Sequence, residues 1–138
     1  MAYKRYTALH LFRASVIFGF IVNLGFVLPA LFAPRFFESL GNFGVTNTEH
    51  WLQNTALLLA IVTVMYIPAI RDPFRYLFIS VLLVAGRFAA GTLFLLGILF
   101  MNYPDGMRLL SGTDLVLSSI QTVLLYRMLK DGDPRAGG

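Results

Sequence analysis

Long apolar runs separated by short polar stretches occupy most of this chain. Four such runs are present, at residues 14–33, 51–70, 76–101 and 109–126. A helix of about 20 apolar residues spans the hydrocarbon core of a bilayer, so each run predicts one transmembrane helix. With their flanks included, the predicted helices cover about residues 9–33, 50–70, 74–101 and 107–129, in a single domain of residues 1–138. The polar tail, residues 130–138, is expected to fray.

The connections between the predicted helices are short and have the chemistry of turns. Pro73 stops the second helix, and the segment 102–107 contains the turn sequence PDG. Short connections place consecutive helices side by side and antiparallel, which predicts an all-α, up-down four-transmembrane-helix bundle. The longest connection, 34–50, begins with PRFFESLG, which predicts a short interfacial helix from Pro34 to Gly41.

The composition and the positions of the charges support a membrane protein. Hydrophobic residues make up 57% of the chain and charged residues 13%, against about 45–50% and about 25% in soluble domains. Basic residues concentrate on the side of the two termini rather than on the opposite side: Lys4, Arg5, Arg13, Arg71, Arg75, Arg127, Lys130 and Arg135 against Arg35 and Arg108. Because Lys and Arg accumulate in cytoplasmic loops, both termini are expected in the cytoplasm (N-in, C-in), with the chain in a bacterial inner membrane.

Several classes of chemistry are excluded or disfavoured by the residue types that are missing. The chain contains no cysteine, which excludes disulfides, a thiol nucleophile and thiolate-bound iron–sulfur clusters. His10 and His50 fall at opposite ends of the predicted bundle, and no haem, metal or nucleotide motif is present. No basic helix or groove can be assembled for a nucleic acid. The cofactor is therefore unknown, and a quinone or a lipid is compatible with the composition.

Polar residues within the apolar runs are the candidates for function, because they are costly in a bilayer and normally face the bundle interior. The candidate ligand-binding or structural cluster comprises Asn23, Gln53, Asn54, Arg87, Asp114, Ser118 and Gln121. Spacings of 3, 4 and 3 place four residues of the fourth helix on one face: Ser111, Asp114, Ser118 and Gln121. This face is expected to turn inward, since lipid cannot satisfy it. On the third helix, Gly86 and Gly91 are expected to leave room around Arg87.

Arg87 and Asp114 are predicted to meet in the outer half of the bundle. At 1.5 Å per residue, Arg87 lies about 20 Å and Asp114 about 10 Å below the outer end of its helix. A long arginine side chain can extend toward the surface, so a direct or water-bridged contact is within reach. Pro29 further predicts a kink in the first helix that frees the carbonyl of Gly25 as an acceptor for the same region.

Two interpretations of this cluster stay open. In the first, Arg87 and Asp114 neutralise each other and fix the third helix to the fourth, while the amides complete the hydrogen bonds. In the second, the same groups line a polar cavity, open to the outer face, that binds a headgroup, an ion or a quinone ring.

A membrane enzyme would need a second buried titratable group beside Asp114 and a nucleophile–base pair. The sequence shows neither, which favours a protein that is not an enzyme.

The layout resembles that of the DoxX-like proteins, a group of small four-helix membrane proteins. The shared features are a basic N-terminus, LPALFAPRFFESLG at the end of the first helix, Trp51 at the start of the second, AIRDPFR at its end, AGR in the third and GTD near the start of the fourth. The resemblance covers about residues 9–128. It implies a four-helix membrane bundle with no defined catalytic residue, and some members resemble a membrane subunit of thiosulfate:quinone oxidoreductase.

Together these features predict a small integral membrane protein in contact with membrane lipid. The favoured role is a non-catalytic accessory or anchoring subunit of a larger membrane complex, with a quinone-linked redox complex among the candidates and a homo-oligomer as a further assembly. The alternative is a binder or transporter of a lipid, a quinone or a small solute that uses an intramembrane site at Arg87 and Asp114.

Overall fold

The computed structural model describes the backbone of residues 2–43 and 49–133, and the side chains of 6–43 and 52–133. The described chain is all-α, with six helices: α1 (Ala2–Phe32), α2 (Pro34–Gly41), α3 (Glu49–Val64), α4 (Tyr66–Arg71), α5 (Leu77–Phe100) and α6 (Gly106–Asp131). Within this part, four spans are long and apolar enough to cross a membrane: Tyr6–Phe32, Leu52–Arg71, Leu77–Phe100 and Gly106–Asp131. These spans suggest an integral membrane protein.

The short helix predicted after the first span is confirmed as α2. Pro34 opens it, where the missing N–H of proline is harmless. Asn42 ends it in the left-handed conformation, with φ of 49°. α1 begins earlier than predicted, at Ala2, and contains Pro29 within its length.

The second predicted span is found as Leu52–Arg71, but its helix is interrupted at Met65, between α3 and α4. The cause is Pro68, which has no N–H to donate to the carbonyl of Val64. The N–H of Met65 instead closes a tighter turn on the carbonyl of Val62, at 3.1 Å. The break places Tyr66 at the start of a separate short helix.

The ends of the last two helices also differ from the prediction. α5 begins at Leu77 rather than near 74, because the turn after α4 is closed by Asp72, whose carboxylate accepts the N–H of Arg75 at 3.1 Å. α6 continues to Asp131, two residues beyond the predicted end at 129, and Gly132 follows it with φ of 76°. Residues 134–138 lie outside the described part.

The helices pack around α1 and α6. α1 contacts α3, α4 and α6, and α5 contacts α6 and α4. The main core lies toward the end of the bundle that carries the N-terminus, and its buried members include Phe12, Val16, Tyr66, Leu125 and Met128. Large apolar side chains cover the outside instead, among them Leu58, Phe78, Leu109 and Ile21. This arrangement is the one expected of helices that contact lipid.

At the opposite end, the segment after α2 is locked onto the start of α6. The N–H of Gly106 donates to the carbonyl of Asn42 at 3.2 Å. A side chain at Gly106 would overlap the carbonyl oxygen of Gly41 and the ring of Phe43, so glycine is required there by close approach. The rings of Phe26, Phe37 and Phe43 pack together beneath this joint, with centroids 4.8 to 6.0 Å apart.

Candidate functional site

The candidate site is centred on Arg87, near the middle of α5. It is the only charged residue between Leu77 and Phe100 in the sequence, and it is 5% exposed. Its neighbours on the inward stripe of α5 are buried as well: Ser80, Val84 and Gly91. The helical period therefore turns Arg87 into the bundle, away from the apolar outer face.

The guanidinium of Arg87 is held by groups from three other helices. Its Nη1 lies 2.6 Å from Oδ1 of Asp114 on α6, so the predicted direct contact is formed. Its Nη2 donates to Oδ1 of Asn23 at 2.8 Å and to the hydroxyl oxygen of Tyr66 at 3.0 Å. A third, longer bond from Nη2 reaches the carbonyl of Gly19 at 3.3 Å. One arginine thereby joins α1, α4, α5 and α6.

The acceptors of Arg87 are themselves held in place. Nδ2 of Asn23 donates to the hydroxyl of Thr63 at 3.1 Å, which fixes the orientation of the amide with its oxygen toward Arg87. Thr63 is buried and donates to the carbonyl of Leu59, at 2.6 Å. The ring of Tyr66 is buried in the main core and lies 5.8 Å from the guanidinium carbon of Arg87. α3 therefore supports the cluster through Asn23.

The polar face of α6 turns inward, as predicted. Ser111, Ser118 and Gln121 are buried, and the side chain of Asp114 is 21% exposed. Ser111 donates to the carbonyl of Gly91 at 2.9 Å, and Gln121 donates to the carbonyl of Ser15 at 3.1 Å. Ser118 bonds within its own helix, to Leu115. The opposite face carries exposed apolar side chains: Leu109, Val116, Ile120 and Val123.

Two glycines, Gly91 and Gly19, leave the space that the cluster needs. Gly91 was expected from the sequence, whereas Gly19 takes the place of the expected Gly86. A Cβ at Gly91 would lie 3.0 Å from the backbone nitrogen of Leu115 and 3.1 Å from Cβ of Asp114, so Gly91 lets α5 and α6 approach closely. A Cβ at Gly19 would lie 3.2 Å from Nη2 of Arg87. Gly86 is exposed with open space around it, so its predicted role beside Arg87 is wrong.

Gln53 and Asn54 were predicted in the cluster, and the structure places them elsewhere. Gln53 donates to the carbonyl of Leu31 at 3.3 Å, and Asn54 is exposed. Asn54 precedes Thr63 by nine residues, which is about 13 Å along α3 and too far to reach Arg87. The polar character of Asn54 placed it among the candidates, but it does not show in which direction the side chain leaves the helix.

The backbone acceptor of the cluster is also different from the predicted one. Gly25 is exposed, with nothing within 4 Å of its Cβ position, whereas the carbonyl that accepts from Arg87 belongs to Gly19. Gly19 and Tyr66 are the members that sequence reasoning missed. The available signal for Tyr66 was its position in an apolar run two residues before Pro68, because an interrupted helix in a membrane often marks a polar contact.

The chemistry of this arrangement is that of a closed network rather than of an open site. A positive and a negative charge are paired, and both terminal nitrogens of Arg87 have acceptors within the chain. Nε of Arg87 and Oε1 of Gln121 are buried without a hydrogen-bond partner among the described residues. Two cavities of about 180 and 420 Å³ lie elsewhere, lined by none of the residues that contact Arg87.

The residues around the network were also compared with the requirements of a metal site. In the described ranges, no three His, Asp or Glu residues gather closely enough to hold a metal ion. His10 is exposed and stacks on Tyr6, with ring centroids 6.4 Å apart, while the side chains of His50 and Trp51 lie outside the described part.

Comparison with known proteins adds no family, because the chain matches no protein-family model, no curated protein and no solved structure.

Proposed function

We propose that this protein is a small integral membrane protein that acts as a non-catalytic accessory or anchoring subunit of a larger membrane complex. The observation that carries the proposal is that both terminal nitrogens of Arg87 already have acceptors within the chain. An intramembrane arginine is a candidate for ligand binding, but here four groups of the same chain occupy its terminal nitrogens. A group so occupied holds helices together and is poorly placed to bind a substrate.

In this proposal the chain is an up-down bundle with both termini in the cytoplasm, in a bacterial inner membrane. Support comes from the basic residues, which concentrate on the side of the termini. An even number of spans also returns the chain to the side on which it began, and four spans are found in the described part. The anchoring role then falls to the lipid-facing surfaces of the helices, which are rich in large apolar side chains.

The proposed partner is a membrane complex, and the DoxX-like layout makes a quinone-linked redox complex the first candidate. In such a complex, the redox groups would belong to the partner, and this chain would supply apolar helix surface. Assembly of several copies of the chain with one another is a second arrangement that would bury the same surface.

A second function is favoured by one specific feature, the partial exposure of Asp114. Its side chain is 21% exposed, whereas that of Arg87 is 3% exposed, and the ion pair uses Oδ1. The outer edge of Asp114 could therefore meet a polar group of a lipid, a quinone or a small solute. Under this alternative, removal of Asp114 abolishes binding of that molecule while the four helices stay assembled.

The test is purification of the complete chain from its native membrane in a mild detergent or in lipid nanodiscs. The proposal expects a complex of defined mass and constant stoichiometry, recovered again when the partner subunit carries the tag. A monodisperse chain without protein partners in the native membrane would overturn the proposal. Retention of the complex in the charge-free variant Arg87→Ala/Asp114→Ala, provided that it folds, separates anchoring from the ligand-binding alternative.

A further inference from the structure

A cavity at the terminal end of the bundle lies apart from the Arg87 cluster and has a different chemistry. It measures about 180 Å³ and is half enclosed between the first turns of α1 and the turn that joins α4 to α5. Its lining includes Tyr6, His10, Arg13, Asp72 and Phe74. Aromatic and apolar groups thus form part of the wall, and hydrogen-bonding and charged groups form the rest.

Arg13 is the residue that makes this cavity suited to an anion. Its Nη2 donates to the backbone carbonyl of Arg71, which fixes the guanidinium at the wall. Its Nε is buried and has no hydrogen-bond partner among the described residues. A cation fixed by its neighbours, with a donor left without an acceptor, is suited to an anion with several oxygen atoms.

The surroundings of the cavity are basic. In the sequence, Arg71 directly precedes and Arg75 directly follows the three lining residues 72–74. The guanidinium of Arg75 lies 5.6 Å from the ring centroid of Tyr76. The carboxylate of Asp72, which belongs to the lining of the cavity, accepts the backbone N–H of Arg75. With three arginines around one aspartate, the local charge is positive, which attracts anions to the cavity.

The cavity is lined by the turn between the ends of two candidate membrane spans. The second span ends at Arg71 and the third begins at Leu77. In a bilayer that these spans cross, residues at their ends lie at the boundary between hydrocarbon and water, where phosphate groups of the lipids are found. Basic pockets between helix ends are known to bind anionic headgroups in other membrane proteins.

We propose that this cavity binds the phosphate of an anionic phospholipid headgroup, with Arg13 as the principal contact. The donors of His10 and Tyr6 would complete the site, and the ring of Phe74 would pack on the glycerol and upper acyl region. The chemistry recognised is a phosphate ester, which a free phosphate shares. The favoured source is the lipid, because the cavity lies at the headgroup level and has an apolar wall.

The experiment measures phospholipid retention by the complete chain. Purified protein is placed in nanodiscs of phosphatidylcholine with one fifth phosphatidylglycerol, released into mild detergent and examined by native mass spectrometry. Arg13→Gln is compared with Arg127→Gln, which removes the same charge from an exposed position at the same end of the bundle. We expect Arg13→Gln to lower phosphatidylglycerol retention about tenfold, as for loss of one charge-assisted contact, and Arg127→Gln to leave it nearly unchanged.

Several results would overturn the proposal. Equal losses in the two variants would show general attraction to a basic surface, and no loss in either would show that the cavity is unused. Displacement by millimolar inorganic phosphate, with no lipid retained, would assign the site to free phosphate. If Arg13→Gln fails to fold, His10→Ala, at an exposed side chain, decides: the proposal expects a loss of about two- to threefold in retention, and an unchanged value contradicts it.

Discussion

The side chains of Arg87 and Asp114 lie 2.6 Å apart although the residues are separated by 27 positions and belong to different helices. A second ion pair of the same chemistry, Arg108 with Asp105, has a similar distance of 3.0 Å. The two pairs differ in their surroundings, because the side chains of the second are 69% and 65% exposed. The chain therefore carries its own control for the effect of burial on an ion pair.

Removal of either member of the buried ion pair should lower the stability of the fold strongly. Removal of both members should cost less than the two single losses added together. Arg87→Ala and Asp114→Ala are each expected to lower the free energy of unfolding by about 3–5 kcal/mol, because a buried charge is left without its counter-charge. The double variant should lose much less than the sum of the two. Arg108→Ala should change the value by about 1 kcal/mol or less.

The measurement for these variants is reversible unfolding in mixed detergent micelles, followed by circular dichroism. A double variant whose loss equals the sum of the single losses would contradict the pairing. A loss at Arg108 comparable with that at Arg87 would show that detergent, rather than burial, determines the result.

The hydroxyl of Tyr66 should stabilise the fold through Arg87. Tyr66→Phe keeps the ring in the core and its contact with the guanidinium, and removes the acceptor at 3.0 Å from Nη2. A hydrogen bond to a charged group contributes about 1.5–3 kcal/mol, so a loss of this size is expected in the same unfolding assay. Tyr76→Phe, at an exposed ring, should be nearly neutral. Equal effects at both tyrosines would contradict the role of Tyr66.

Replacement of Gly91 and of Gly86, both in α5, by alanine should have different effects on the free energy of unfolding. Gly91→Ala places a methyl group 3.0 Å from the backbone nitrogen of Leu115, which cannot move without separating α5 from α6. We expect a loss of about 1–3 kcal/mol in unfolding free energy. Gly86→Ala meets nothing within 4 Å and should be neutral or stabilising by up to about 1 kcal/mol. Similar effects at both positions would indicate that α5 and α6 are not in close contact.

The proposed topology can be tested on a chain that has no cysteine of its own. Ser39→Cys in α2 should react with a membrane-impermeant maleimide in intact spheroplasts, and Asp133→Cys after α6 should react only after lysis. The unsubstituted chain provides the background. Labelling of Asp133→Cys in intact spheroplasts would reverse the orientation inferred from the basic residues.

The sequence was sufficient for the spans, for α2 and for the Arg87–Asp114 contact. Each of these rests on a strong local rule: run length for the spans, Pro34 and Gly41 for α2, and helical spacing with depth for the ion pair. These rules hold because every polar group in a bilayer must find a partner within the protein, which leaves few arrangements for a single charge of each sign.

The remaining contacts were beyond the sequence because they depend on how the helices are rotated against each other. Gly19 carries no side chain that could signal its carbonyl, and Tyr66 lies in a run that reads as apolar. Asn54 is exposed for the same reason, because its direction about the axis of α3 does not follow from the sequence. Hydropathy predicts the depth of a residue in the membrane, whereas the packing of the helices determines which neighbour its side chain contacts.

The junction at Arg87 has a consequence for the order in which the chain is made. Synthesis delivers α1, α3 and α4 first, so Asn23 and Tyr66 are already in place when α5 leaves the ribosome. Asp114 arrives last, with α6. Until then, the charge of Arg87 lacks its counter-charge, and an arginine at the centre of a helix contributes about 2.5–3.5 kcal/mol against insertion. Arrival of α6 therefore supplies the counter-charge of Arg87 and completes the junction of the helices.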